Sequence, residues 1–149
     1  MIKDKLVTGA VIGTATFISQ NLYALGAKAF NIPTLTYVDY GRILLLSKVM
    51  KGTIAVIIGL IGHLIWEIIL GVIFVYIILN TSRRYSFLKG IIFGASVWFF
   101  INLAATLFSI PVIAHVSPTT VTFFLIGSII FGFTIAFTLN ILHSYKIKI

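Results

Sequence analysis

Four apolar stretches, each long enough to cross a lipid bilayer, dictate most of what this chain can become. They cover residues 6–27, 52–79, 90–114 and 119–142. A helix needs about 20 mostly apolar residues to span the hydrocarbon core. In lipid every backbone polar group must be paired within the segment or a closed barrel, which selects helices over open strands. A barrel needs segments of about 10 residues with alternating polarity, and that alternation is absent. The second stretch is broken only by His63 and Glu67 and exceeds a bilayer's thickness, so it tilts or protrudes. The expectation is an all-α, single-domain, polytopic membrane protein with four transmembrane helices, the third closed by Pro111.

Composition agrees. Of 149 residues, 60% are hydrophobic and 9% charged, against about 25% charged in soluble domains. So small a chain cannot hide that much apolar surface from water. The net charge of +8 comes from 11 basic and 3 acidic residues. The basic residues fall in short clusters between the apolar stretches. That pattern signals topology and attraction to anionic headgroups, whereas a nucleic-acid partner calls for a basic stripe on a soluble surface. Membrane lipid is the expected partner and nucleic acid is not. The chain has no cysteine, which excludes disulfides, thiolate metal sites and cysteine nucleophiles.

Counting Lys and Arg sets the orientation. With the N-terminus in the cytoplasm, Lys3, Lys5, Arg83, Arg84, Lys89, Lys146 and Lys148 lie inside, and Lys28, Arg42, Lys48 and Lys51 outside. The excess favours both termini in the cytoplasm of a bacterial cell membrane. The first stretch also has signal-peptide features: Lys3 and Lys5 before it, and a small-residue site at Ala27-Lys28-Ala29. Its length and its polar Thr14, Thr16, Ser19, Gln20 and Asn21 favour a retained helix instead. Residues 28–51 are the least hydrophobic part of the chain. Asn31-Ile-Pro-Thr34 reads as a turn. The following segment suits a short interfacial or re-entrant helix with Tyr37, Tyr40 and Arg42 at headgroup level, or else an irregular outer loop.

Small and polar residues recur at steps of four. Gly9, Gly13, Phe17 and Asn21 match Gly90, Gly94, Trp98 and Asn102; Gly59, His63, Glu67 and Gly71 form a similar row, as do Ser128, Gly132, Ala136 and Asn140. Such rows stay on one helix ridge, let backbones approach closely and place Asn where it can bond across helices. They read as helix-packing residues, with Ile57, Leu60, Ile61, Leu64, Ile65 and Ile68 turned to lipid. Two readings stay open: two duplicated hairpins, about 1–79 and 83–149, related by an axis along the membrane normal, or unrelated small-residue motifs of the kind common in membrane helices.

Thirteen of the fourteen charges lie at ends or loops; Glu67 alone is deep in a span, with His63 one turn earlier on the same face. Ionisable groups in hydrocarbon are costly and usually face a bundle interior or a wet cavity. Either a proton neutralises Glu67 or His63 holds it ionised. His63 and Glu67, with Asn21, Asn102, Gln20 and Thr106 as further oxygen donors, form either a proton or cation site or an interhelical clamp that fixes packing. A metal or haem site is disfavoured, because His63, His115 and His143 sit at different depths and a catalytic zinc wants about three ligands. No cofactor is expected. Nor is an enzyme: there is no Gly-x-Ser-x-Gly, P-loop or His-Glu-x-x-His. Arg83, Arg84 and Lys89, in the inner loop, serve as an anchor to anionic lipid or as a docking site for a cytoplasmic partner.

Gly62-His-Leu-Ile-Trp-Glu-Ile-Ile-Leu-Gly-Val-Ile-Phe-Val-Tyr76, Leu88-Lys-Gly-Ile-Ile-Phe-Gly-Ala-Ser-Val-Trp-Phe-Phe100 and Leu125-Ile-Gly-Ser-Ile-Ile-Phe-Gly132 resemble small four-span membrane proteins of Gram-positive bacteria in the neighbourhood of the YqhR-like proteins. The resemblance covers about a third of the chain. It implies four spans and a bacterial cytoplasmic membrane, and no activity. The function expected is a non-enzymatic structural or accessory membrane protein, self-associating or part of a larger complex; the alternative is a small transporter or channel subunit using Glu67 and His63.

Overall fold

The computed structural model describes residues 4–32, 35–46, 51–110 and 116–144. These form five helices: α1 (Lys5–Ala29), α2 (Tyr37–Leu46), α3 (Thr53–Asn80), α4 (Ser86–Leu107) and α5 (Pro118–Ser144). Lys3, Lys48, Pro111, His115, Lys146 and Lys148, which entered the topology and site expectations, lie outside the described residues, as do Pro33 and Thr34 of the expected turn.

Each helix starts and stops on local chemistry. Asp4 caps α1: its Oδ1 accepts from the backbone N–H of Leu6 at 2.9 Å and of Val7 at 3.0 Å. Asn31, at φ 55°, turns the chain out of α1. Asp39 caps α2 by accepting at Oδ2 from the Thr36 backbone N–H and hydroxyl, both at 2.9 Å, and pairs through Oδ1 with Arg42 at 3.0 Å. Pro118 opens α5, a position where its missing N–H costs nothing.

The third apolar stretch gives a helix different from the expected one. α4 begins four residues early, at Ser86, and ends at Leu107 rather than near Pro111. The stop is conformational. Ser109 adopts φ 50°, and the N–H groups of Phe108, Ser109 and Ile110 fold back onto the carbonyls of Ala104, Thr106 and Ala105.

α3, α4 and α5 are each long and apolar enough to cross a membrane; α1, the fourth expected span, is not apolar enough. The reason lies in its position. The helices run in the order α3, α1, α5, α4, so α1 sits between α3 and α5. Thr8, Thr16 and Gln20 are buried there against protein, and a helix screened by neighbours can carry polar residues that lipid would penalise.

Two tight seams organise the layer. In the α1–α3 seam, a Cβ on Gly13 would collide with the Glu67 carbonyl oxygen, one on Gly71 with the Gly9 carbonyl oxygen, and one on Gly9 with the Val72 backbone. In the α4–α5 seam, Gly90 and Gly132 face each other's carbonyls and Gly94 lies on the Ser128 carbonyl. Gly59 takes no part in the α1 seam: it meets α2, where Gly41 lies on its carbonyl oxygen. Ile12, Phe74, Val75, Ile135 and Leu139 fill the core toward the Asn80 end of α3. Of the residues expected to face lipid, Ile57, Ile61 and Ile65 are exposed, while Leu60, Leu64 and Ile68 are half-buried.

α2 departs most from expectation. Tyr37 and Tyr40, expected as interfacial aromatics, are packed inward, with ring centroids 5.1 and 4.5 Å from Phe124. Ile43 packs with Ala105 of α4. α2 therefore bridges the ends of α3 and α4, two helices that otherwise barely touch.

Candidate functional site

The gap between α3 and α4 is a cavity of about 290 Å³, floored by Leu70 and Phe131 and roofed by α2. Below it Phe74 and Phe93 close the core, their centroids 5.5 Å apart. Its walls are almost wholly apolar, and Leu44 and Trp66, 65% and 39% exposed, stand at its lateral edge.

His63 and Glu67 sit on this cavity as neighbours on α3, 5% and 3% exposed, with His63 Nε2 3.2 Å from Glu67 Oε1. The proton arrangement follows from Asn21. Its Nδ2 donates to the Phe17 carbonyl at 2.7 Å, which fixes the amide's orientation, and the same nitrogen lies 3.3 Å from His63 Nδ1. An amide nitrogen only donates, so His63 Nδ1 accepts and its proton resides on Nε2. His63 is then a neutral imidazole donating to Glu67, and the pair is not an ion pair. Tyr37 stacks on the imidazole at 5.2 Å, and Phe17 lies across it at the same distance.

Six buried side-chain atoms among the described residues lack a hydrogen-bond partner: Gln20 Oε1, Tyr37 OH, Arg42 Nε, Glu67 Oε2, Arg83 Nη1 and Trp98 Nε1. Four of them, on Gln20, Tyr37, Glu67 and Trp98, belong to residues that line the cavity. Gln20 is anchored by its other end, where Nε2 donates to the Gly127 carbonyl at 3.1 Å. Leaving a buried donor or acceptor unpaired costs about 1–3 kcal/mol, so four such residues around one cavity call for explanation. Burial raises the Tyr37 hydroxyl above its ordinary value of 10.0, which keeps it a protonated donor.

The remaining expected residues are placed as follows. Asn102 lines the cavity but turns its amide to its own helix, donating to the Trp98 carbonyl at 2.8 Å. Thr106 is exposed and bonds back to Asn102. In the α3–α4 turn, Lys89 Nζ donates to the Ser82 carbonyl at 2.7 Å and the Thr81 hydroxyl at 3.0 Å, so it ties the turn rather than standing free. Arg84 lies over the Tyr85 ring at 4.9 Å, and Arg83 is half-buried.

Tyr37 and Trp98 were not legible as site residues. Tyr37 read as an interfacial aromatic and Trp98 as one of a helix-packing row, and only the inward packing of α2 and α4 brings both side chains to the cavity that Glu67 lines. No protein-family model, curated protein or solved structure matches this chain.

Proposed function

We propose that this chain is a small membrane transporter or channel subunit, non-enzymatic, whose site is the α3–α4 cavity at Glu67. The observation that carries this reading is the cavity itself: it reaches Glu67, and four unpartnered polar side chains line it. A purely structural clamp would pair those atoms with protein, as the great majority of buried polar groups are. The accessory or scaffolding role draws its support from the two glycine seams, which would give any function a rigid frame.

In this reading α1 is also a span. It is 25 residues long, about 37 Å at 1.5 Å per residue, and its seam with α3 runs from Gly9 opposite Gly71 to Asn21 opposite His63. Four spans put both termini on one side, and the count of Lys and Arg favours the cytoplasm of a bacterial cell. A duplication of hairpins gains support from Asn21 and Asn102, which make the same bond to the carbonyl four residues back. Under that symmetry the packed α1–α5 contact has its counterpart in the open α4–α3 gap. The cavity is then the one interface of the repeat left unfilled.

The test is flux. In vesicles containing the purified chain, proton or cation uptake should depend on Glu67 and fall at least tenfold in Glu67→Gln, with His63→Ala also impaired. Both variants should stay folded by circular dichroism. Equal uptake by wild type and both folded variants would return the site to a packing role.

A further inference from the structure

Resting on the reading just given, we infer that the cavity takes an amphipathic organic cation: an ammonium head at the Glu67 carboxyl and an apolar body along the α3–α4 walls. The need for a positive partner follows from the hydrogen bonds. His63, as the Nε2–H tautomer, donates to one oxygen of Glu67 and brings it no positive charge. Among the described residues no basic side chain bonds to Oε2; Arg42, the basic residue of the roofing helix, is paired with Asp39. A buried carboxyl ionises at a cost unless a positive partner faces it, and a cationic head would be that partner.

The surroundings select an organic cation over a metal ion. No group of three or more His, Asp or Glu side chains comes together among the described residues, so an inorganic divalent ion would find one carboxylate and little else. Tyr37, Tyr40, Trp66, Trp98 and Phe124 line the same cavity. Aromatic faces attract organic cations, most strongly where water is excluded. The volume of about 290 Å³ stands near the lower end of small-molecule sites, far more than a bare ion needs, so the ligand brings its own bulk. Exposed Leu44 of α2 and Trp66 of α3 stand at the edge of the gap between α3 and α4, both apolar enough to cross a membrane, which gives a route to a molecule already dissolved in the bilayer.

The chain carries its own reporter. It has two tryptophans, Trp66 and Trp98, and both line the cavity. The full chain in lipid nanodiscs should be titrated with benzyldimethylhexylammonium and, separately, with benzyl hexyl ether, an uncharged molecule of similar size. The cation should change tryptophan fluorescence saturably and bind at least tenfold tighter than the ether. Glu67→Gln should lose that preference, and Glu67→Asp, which keeps the charge, should retain most of it. Equal binding of cation and ether, no saturable signal with the cation, or cation binding unchanged in Glu67→Gln would each overturn the assignment. Proton or cation flux that still required Glu67 in that event would leave the transport reading standing, whereas cation binding without flux would fault the transport reading alone.

Discussion

Asn21 on α1 sets the tautomer of His63 on α3. With one amide hydrogen committed to the Phe17 carbonyl at 2.7 Å, its Nδ2 faces His63 Nδ1 at 3.3 Å and can only donate to it. The consequence reaches Glu67, which receives a hydrogen bond and no charge from its nearest neighbour. In protein with 15N-labelled histidine, the His63 spectrum should therefore show a bare Nδ1 and a protonated Nε2 at neutral pH. Asn21→Asp, which replaces the donor with an acceptor, should move a proton onto Nδ1. A wild-type His63 protonated at Nδ1 would refute the arrangement.

The glycine seams make a stability prediction with an internal control. A side chain at Gly13 or Gly94 meets backbone of the facing helix, whereas a Cβ at Gly26 meets nothing within 4 Å. Gly13→Val and Gly94→Val should each cost about 2–3 kcal/mol, the upper part of the usual range for overpacking. Gly26→Ala should be neutral or stabilising by up to about 1 kcal/mol, the helix-propensity difference. Thermal unfolding in detergent reads all three, and equal destabilisation at Gly26 would show that the seams are not what the contacts indicate.

Ser86 and Asn140 join the two ends of the α4–α5 hairpin through an exchange of hydrogen bonds, Asn140 Nδ2 to Ser86 Oγ at 2.9 Å and Ser86 Oγ to Asn140 Oδ1 at 3.3 Å. Such interhelical bonds in membrane proteins contribute about 0.6 kcal/mol on average. Asn140→Ala should lower stability by about that much in the same unfolding assay, well short of the loss at Gly94. A loss as large as that of Gly94→Val would mean that Asn140 does more than clip the hairpin.

Topology can be read by labelling, because the chain has no native cysteine. Lys5, Lys51 and Ser82 are exposed at helix ends. If α1 crosses the membrane, cysteines at Lys5 and Ser82 react from one side and a cysteine at Lys51 from the other. Reaction of positions 5 and 51 from the same side would show that α1 does not cross.

How far the sequence foretold this arrangement depends on the kind of signal. The spans of α3 and α5 were legible to within a residue or two, since hydrocarbon thickness imposes length. The Gly9–Gly13 and Gly90–Gly94 rows were legible because steps of four keep residues on one ridge. Which helix each row faces was not: Gly59 shares a row with Gly71 yet packs on Gly41 of α2. α1 was read as a span like the others, yet it is less apolar than α3, α4 and α5, since a helix shielded by protein on two sides no longer follows the polarity rules of a lipid-facing one. His63 and Glu67 stood out as ionisable groups in an apolar run. The rest of the site depends on tertiary contacts with no local sequence signature: Tyr37 on α2 folding inward over α3, and Trp98 on α4 lining the other side of the cavity.

The central claim is that Glu67 lies at a cavity reached from the bilayer between α3 and α4. A lipid-soluble carbodiimide tests it directly, because it reaches carboxyl groups through lipid, and mass spectrometry can locate the adduct among the three acidic residues, Asp4, Asp39 and Glu67. The account predicts modification of Glu67 in intact membranes, slowed by prior addition of benzyldimethylhexylammonium, and little or none with a water-soluble carbodiimide. An unmodified Glu67 under conditions that label Asp4 or Asp39, or equal labelling by the water-soluble reagent, would contradict it.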